Sequence, residues 1–309
     1  MTPPNLPIKQ YKNYLLYLII YILTVFILFL LLQHVGIYQI ADEIKKSNPV
    51  YICYSFILSI IFVILSGFKL KLFIGMMGHN IKTSRCIKLI FATYPLNIII
   101  PSKGGDFLKS WSLRDILPLS HGIGIVILER LIDIFILCLL TLISSIVIRQ
   151  LKISIASFSL ILSMFLFIYF IYKLPFKEYN KKNLIQKILK TGYPLKCLFK
   201  DKKYLIGIFS ISLIIWLGSI LQVYLLYLSI GQPVPVLYSF TAVPIAIFIG
   251  FMPVTIAGMG TRDLALVYLF SAYADNASSV TVGLYLSLLR YWMLALIGLP
   301  FIKALKVRG

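Results

Sequence analysis

The chain has 309 residues, of which 60% are hydrophobic and 13% are charged, and its mean hydropathy is +0.94. Soluble domains carry about 25% charged residues, so this composition excludes a soluble enzyme, a disordered protein and a secreted disulfide scaffold. Lys and Arg number 30 against 10 Asp and Glu, a net charge of +20. Because the cations alternate with apolar segments, we interpret them as contacts to anionic lipid in a membrane, with no nucleic-acid partner.

Six segments are apolar over about the 20 residues that a helix needs to cross the hydrocarbon core. The first is too long for a signal-peptide core, so we expect it to be retained as a membrane helix. The sequence therefore predicts an all-α polytopic membrane protein that forms a single integral membrane domain over residues 1–309. The six predicted spans are 14–35, 50–68, 122–148, 153–172, 204–230 and 280–302.

The basic loops predict the orientation. The loop 173–203 holds ten Lys and the loop 69–88 holds five Lys and Arg, so both are expected in the cytoplasm. Within 173–203, apolar residues recur at helical spacing among the lysines, which predicts an amphipathic helix on the membrane surface. The sequence thus predicts a multi-pass inner (plasma) membrane protein with N- and C-termini in the cytoplasm.

Two further apolar stretches, 88–118 and 236–275, are broken. Pro95 interrupts the first, and Pro244 and Pro253 interrupt the second. Their arms of about 10–16 residues are shorter than a usual crossing, and the loop orientation returns each stretch to the side where it began. We predict two re-entrant hairpins of opposite orientation. The alternative, in which each arm is a full crossing, preserves the same loop orientation.

The order span, broken hairpin, span occurs twice, in halves at about 50–148 and 204–302, which predicts an inverted repeat. Such repeats with broken helices are the architecture of secondary transporters, which bind substrate near the midplane. Helix N-termini at the tips offer free N–H groups to an anion, although Pro and Gly could simply kink packed helices. The two tips share a glycine pair (Gly104 and Gly105; Gly258 and Gly260), a cation (Lys103; Arg262) and an acid (Asp106; Asp263).

Charged residues also lie inside two spans. Glu129 and Asp133 share one helix face at spacing i,i+4, and Arg130 can pair with Asp133 at i,i+3. An unpaired charge near the bilayer centre costs about 2.5–3.5 kcal/mol, so these side chains form either a polar cavity wall or a structural ion pair. Arg290, midway along the last span, binds a substrate phosphate or pairs with Asp263 or Glu129.

Three stretches resemble a known family, the lysylphosphatidylglycerol synthase transmembrane region, often called flippase-like. They are Pro101-Ser-Lys-Gly-Gly-Asp106 with the following Leu-Lys pair, residues 126–133, and residues 253–263. The resemblance implies movement of aminoacylated phospholipids or polyprenyl-phosphate-linked sugars between leaflets. Lys103 stands where the family commonly has Arg, and Asp106 and Asp263 stand where it commonly has Glu. Since this sequence holds no soluble aminoacyl-transfer domain, the resemblance does not imply lysyl transfer.

The leading hypothesis is a flippase or scramblase-like transporter of an anionic lipid, without a cofactor, a catalytic residue or a metal. We expect the tip residues at opposing openings and the intraspan charges in a central polar site. The alternatives are an integral-membrane transferase for a lipid-linked substrate, or an accessory subunit of a membrane enzyme; a homo-oligomer is compatible with each. The predicted substrate-binding residues are Lys103, Asp106, Glu129, Arg130, Asp133, Arg262, Asp263 and Arg290, with tip backbone at Gly104, Gly105, Gly258 and Gly260.

Overall fold

The computed structural model describes residues 8–173, 191–252 and 254–305, with the backbone alone for 8–17, 34, 101–103, 171 and 172. These residues are helical and include no strand, which confirms the predicted all-α class. Short 3-10 turns cover Pro101–Phe107, Ile256–Gly258 and Leu299–Leu305, and a π turn covers Leu288–Trp292. The helices are α1 (Ile8–Val35), α2 (Ile37–Lys46), α3 (Pro49–Met76), α4 (Thr83–Ile99), α5 (Leu108–Ser112), α6 (Leu119–Val147), α7 (Leu151–Lys173), α8 (Tyr193–Leu198), α9 (Lys202–Ser229), α10 (Val236–Gly250), α11 (Thr261–Phe270), α12 (Asn276–Ser287) and α13 (Met293–Gly298).

The described chain contains four or five candidate membrane spans, where the sequence predicted six. Four segments are long and apolar enough to cross: Pro49–Met76, Leu151–Phe170, Lys202–Ser229 and Asn276–Leu305. The pair α1 and α2, bent by 81°, would add a fifth. The difference lies in α6, which is 29 residues long but carries three charged side chains in its N-terminal half. With four or five candidate spans, the protein is a multi-pass membrane protein.

Both broken stretches fold as helix–turn–helix hairpins. The first hairpin is α4, the turn Pro101–Phe107 and α5; the second hairpin is α10, the turn Ile256–Gly258 and α11. The return helices have 5 and 10 residues, about 7.5 Å and 15 Å at 1.5 Å per residue. Both are far shorter than the roughly 30 Å hydrocarbon core. These lengths fit re-entrant hairpins rather than pairs of full crossings.

The breaks do not fall at Pro95 or Pro244, two of the three prolines that were predicted to make them. Pro95 and Pro244 lie inside α4 and α10, which continue beyond them. Because proline has no N–H, Pro95 leaves the carbonyl of Phe91 without its helical donor. Gly298 packs against this gap, since a Cβ there would lie 2.3 Å from the Phe91 oxygen. Tight packing by a neighbouring helix lets the first hairpin keep its proline without ending there.

The packing places the two hairpin tips inside the bundle. α3 packs along α9, α6 packs on α7 and α10, and the two tips contact each other. Core side chains such as Phe73 and Tyr227 are fully buried, whereas Phe165 and Leu166 on α7 are 56% and 61% exposed. An exposed apolar face of this kind suits lipid rather than water. The element order α3, first hairpin, α6 recurs as α9, second hairpin, α12; the inversion of the two halves stays a prediction.

The predicted amphipathic helix in the basic loop lies largely outside the described residues, since 174–190 are not among them. Of that loop, the structure shows the short helix α8 and the start of α9. Pro253, the first residue of the second tip motif, is likewise outside the described residues. The described elements that surround the candidate site are α3, α6, α9, α12 and the two hairpins.

Candidate functional site

A polar cavity lies where the two hairpin tips meet α3, α6, α9 and the π turn of the last span. Its volume is about 130 Å³, roughly ten times the space that one water molecule requires. Apolar and aromatic side chains close its walls, among them Phe62, Ile215 and Phe251. Its charged lining residues are Lys69, Asp106, Lys109, Glu129, Arg130, Asp133, Arg262 and Arg290.

Lys69 of α3 joins two carboxylates of α6. Its Nζ lies 3.2 Å from Oε1 of Glu129 and 3.1 Å from Oδ1 of Asp133. The predicted shared face of these two acids is thereby confirmed. Trp216 of α9 donates its indole N–H to the same Asp133 oxygen at 3.1 Å. Both carboxylates are buried, at 7% and 5% exposure, so the pairing offsets much of the cost of removing these charges from water.

Lys109 extends this network to the first tip. Its Nζ lies 3.1 Å from Oε2 of Glu129 and 3.9 Å from Oδ1 of Asp106. Asp106 also forms an ion pair with Arg130 and accepts a hydrogen bond from Nδ2 of Asn97 at 3.1 Å. The return helix α5 and the tip of the first hairpin are thus tied by charge to α6.

The predicted pairing of Arg130 with Asp133 is wrong. Both lie on α6, but Asp133 is bound by Lys69 and Arg130 turns to Asp106 on the hairpin. Lys69 and Asp106, which lie on other elements, replace the pairing within α6 because they approach its charged face directly. The resulting network balances three cations with three carboxylates, and its members line the cavity. Ion pairing and a polar cavity wall, which the sequence left as alternatives, therefore coexist.

The charges of the second tip are satisfied locally. Arg262 donates Nε and Nη2 to Oδ1 of Asp263 at 3.0 and 2.7 Å. Its Nη2 also donates to the Gly283 carbonyl at 3.1 Å and to Oγ of Ser287 at 2.8 Å. The other oxygen of Asp263 accepts the Gly260 N–H at 3.0 Å and so caps α11. Arg262 lines the cavity, whereas Asp263 does not and instead holds the Arg262 guanidinium in place.

The two tips differ in backbone geometry. Ala257, Gly258 and Gly260 have φ of +53°, +77° and +91°, in the left-handed region that L side chains disfavour. A Cβ on Gly258 would also lie 2.6 Å from the Gly250 oxygen. In the first tip, Gly105 has no positive φ, and only the lack of space excludes a larger side chain there.

Gly105 packs directly on the helix that precedes it. A Cβ there would lie 2.8 Å from the backbone nitrogen of Asn97. At Gly104 the nearest atom is the Cγ2 methyl of Ile100, at 2.4 Å, on a β-branched side chain that is stiff at χ1. Binding of an anion by these tip amides stays a prediction.

Arg290 differs from every other cation of the cavity in its partners. Its Nη2 donates to Oγ of Ser219 at 3.0 Å, and its guanidinium lies 5.2 Å from the centre of the Phe62 ring. The two predicted partners, Asp263 and Glu129, are bound elsewhere, and no carboxylate of the described residues lies within 4.0 Å of it. Arg290 sits in a π turn, a local widening that often occurs at functional sites.

The structure does not place the predicted tip residues at opposing openings. Asp106 and Arg262 line one cavity because the two tips meet. Lys103 lies on the first turn, but its side chain is outside the described residues. Two lysines of the cavity, Lys69 and Lys109, were missed as site residues. Lys69 was assigned to a basic loop, yet α3 continues past it to Met76.

An apolar groove adjoins the polar cavity. Its volume is about 260 Å³, and Phe107 and Met252 at its edge are 46% and 49% exposed. The rest of its wall is largely hydrophobic and includes Val126 and Ile134. The groove and the cavity share five lining residues, so the apolar groove adjoins the charged cavity directly. The shared residues are Asp106, Arg130, Gly250, Phe251 and Ala257.

Fold and site together define a multi-pass α-helical membrane protein with a charged cavity between two broken hairpins. The family model described as "Lysylphosphatidylglycerol synthase TM region" matches residues 15–298. The chain belongs to this family, as the tip and α6 motifs predicted.

Three archaeal proteins, each named a UPF0104 membrane protein, are similar to this chain. The protein of Methanocaldococcus jannaschii is 24% identical over 273 residues, covering 79% of this chain and 81% of its own. That of Methanothermobacter thermautotrophicus is 23% identical, covering 87% and 89%. That of Archaeoglobus fulgidus is 22% identical, covering 78% and 83%. The likeness therefore extends over most of each chain and agrees with a membrane protein.

Proposed function

We propose that this protein is a flippase or scramblase-like transporter that moves an anionic lipid between the leaflets of its membrane. The observation that carries the proposal is Arg290, a cation of the polar cavity without a carboxylate partner among the described residues. A substrate anion would supply the missing charge.

The charge balance of the cavity supports an anionic substrate. The network around Glu129 is neutral, and Arg262 is neutralised by Asp263. Arg290 is the excess charge, and a guanidinium binds phosphate through two parallel hydrogen bonds. Its acceptor on Ser219 is a neutral hydroxyl, which a phosphate oxygen could replace with an acceptor that also carries negative charge and so forms a stronger bond.

The apolar groove favours a lipid over a water-soluble anion. A polar head group in the cavity would be covalently joined to chains that need an apolar surface, and the groove begins at the cavity wall near Phe251. Arg130, which is 31% exposed, lies on both surfaces. A phospholipid or a polyprenyl-phosphate-linked glycolipid has this combination of charged head and long tail. Membership of the synthase family agrees with a lipid substrate.

The proposed mechanism needs only a polar passage for the head group. A phosphate in lipid without partners is costly, but in the cavity it would meet Arg290 and the buried polar network while its tails stay in the groove or the bilayer. Both tips line the passage, so movement of the hairpins would open it toward either leaflet. We place both termini in the cytoplasm and the protein in the inner membrane, following the basic loops.

Reconstitution in liposomes tests the proposal. Purified protein is incorporated into vesicles with a head-labelled anionic phospholipid, and a membrane-impermeant reductant measures how much label becomes accessible from outside. We expect rapid loss of the inner-leaflet signal with protein and slow loss in empty vesicles, with a labelled zwitterionic lipid moving less. Equal rates with and without protein would overturn the proposal, and chemical conversion of the lipid would favour a transferase.

A further inference from the structure

A second cavity lies apart from the polar cavity and shares none of its lining residues. It is formed by the N-terminal end of α4 and the last turn, Leu299–Leu305, and its volume is about 780 Å³. We call it the basic cleft. Its charged lining consists of four cations, and the described lining includes no acid: Lys82, Arg85, Lys88 and Lys303.

Three of these cations have no ion-pair partner among the described residues. Lys82, Lys88 and Lys303 are exposed. Arg85 is held in place: it forms an ion pair with Asp115 at 2.8 Å and donates to the Ser112 carbonyl at 3.2 Å. Three like charges around one concavity repel each other, and an anion with several oxygens would relieve that repulsion.

The backbone and the neutral lining suit an anion as well. α4 begins at Thr83 without a side-chain cap and without an acid in its first turn. The first N–H groups of a helix and its dipole favour negative charge. Ser84 and Asn80 add neutral donors, and Phe301 forms an apolar part of the wall. The cleft is therefore a shaped concavity with charged, polar and apolar sides.

We infer that the basic cleft binds a phosphate group that carries at least two negative charges, presented by a lipid head group at the membrane surface or by a soluble molecule. This site is separate from the transport cavity, and the inference does not rest on the proposed function. The volume is several times larger than one phosphate needs, so it accommodates the remainder of a head group.

A fluorophore in the cleft tests the inference in nanodiscs. Cys53 is the exposed cysteine among the four, the others being buried, so Cys53→Ser followed by Ser84→Cys gives one reactive site in the cleft. We measure quenching by spin-labelled phosphatidic acid and by spin-labelled phosphatidylcholine, and then displacement by inorganic pyrophosphate. No vesicle transport is involved, so failure here and failure of the proposed function are distinguishable.

A charge-matched pair of triple variants separates the site from diffuse attraction. The test variant replaces Lys82, Lys88 and Lys303 by Gln. The control replaces Lys200, Lys202 and Lys203 by Gln; these are three exposed lysines at or just before the start of α9. Each lysine near an anionic surface is worth about five-fold in binding, so we expect about a 100-fold loss in the test variant and less than about five-fold in the control.

Each outcome decides. Selective quenching by phosphatidic acid that pyrophosphate does not displace supports a lipid head group, and displacement by pyrophosphate supports a soluble phosphate. Equal quenching by both lipids with no effect of pyrophosphate overturns the inference. An equal loss in both triple variants would also overturn it, because binding would then follow net charge rather than the cleft.

Discussion

The tips of the two hairpins look alike in sequence but hold their acids in different ways. In the first tip, Asp106 is bound by side chains from elsewhere, notably Arg130 of α6 and Asn97 of α4. In the second tip, Asp263 binds the adjacent Arg262 and the backbone of Gly260. One tip depends on its surroundings for charge compensation, and the other compensates itself.

This difference shows that matched motifs do not imply matched roles. The first tip is part of a network that joins three helices, so its position reports on the arrangement of α3, α5 and α6. The second tip is a preformed unit that delivers a cation, Arg262, to the cavity wall. We expect substitutions in the first tip to disturb the fold widely and those in the second tip to act locally.

The largest expected effect is that of Asp106→Asn. The change leaves Arg130, whose side chain is 31% exposed, without its carboxylate, and it removes one contact of the buried Lys109. Breaking a buried pair by removing one partner costs about 3–5 kcal/mol. The free energy of unfolding, measured by detergent denaturation in mixed micelles, should fall by that amount. A loss below about 1 kcal/mol would show that the network does not hold the first tip.

Gly258→Ala should cost about 2–4 kcal/mol in the same measurement. The new Cβ meets the Gly250 oxygen at 2.6 Å and the backbone has φ of +77°, so overpacking adds to a left-handed penalty. Gly78→Ala is the matched control, because Gly78 has φ of +81° with open space around it. The control should lose about 1–2 kcal/mol; equal losses would mean that the close approach to Gly250 has no cost.

Asp263→Asn should cost less than Asp106→Asn, about 1–2 kcal/mol. An Asn oxygen can still accept from Gly260, and Arg262 keeps the Gly283 carbonyl and Ser287 as acceptors. The change leaves the buried Arg262 without its carboxylate, but its two remaining acceptors keep the cost below the about 3–5 kcal/mol of a buried ion pair that loses one partner. If this variant unfolds as readily as Asp106→Asn, the contrast between a dependent tip and a self-contained tip is wrong.

Much of this architecture could be predicted from sequence. Apolar length and loop charge indicated an all-α membrane protein, and the charges of α6 stood out because Glu129 and Asp133 interrupt a hydrophobic helix. The motif at each tip also pointed to its acid. These features are local in sequence, so periodicity and spacing are enough to find them.

Lys69 shows why the rest could not be read so directly. It follows an apolar run and precedes another lysine, so it resembled the start of a basic loop, but α3 continues and buries it between two acids. Ser55, Ser59 and Ser66 precede Lys69 on α3, and the successive spacings of four, seven and three residues place them on one polar helix face that could have extended the predicted span. Ion-pair partners were harder still, because they depend on which helices pack together.

The central claim is that Arg290 selects an anionic head group. The most direct measurement compares transbilayer rates of the labelled anionic lipid in vesicles containing the wild type, Arg290→Gln and Arg290→Lys. Arg114→Gln is the matched control, since Arg114 is exposed and stacks on Trp111 outside the cavity.

We predict that Arg290→Gln slows the anionic lipid by about 10- to 150-fold, the worth of one hydrogen bond to a charged group, and that Arg290→Lys retains part of the rate. Among the described residues, Arg290 has no carboxylate partner that the substitution would leave unpaired. The free energy of unfolding of the Arg290→Gln protein should therefore stay within about 1 kcal/mol of the wild type. The Arg114→Gln protein should match the wild type. An Arg290→Gln protein that moves the anionic lipid at the wild-type rate would contradict the account.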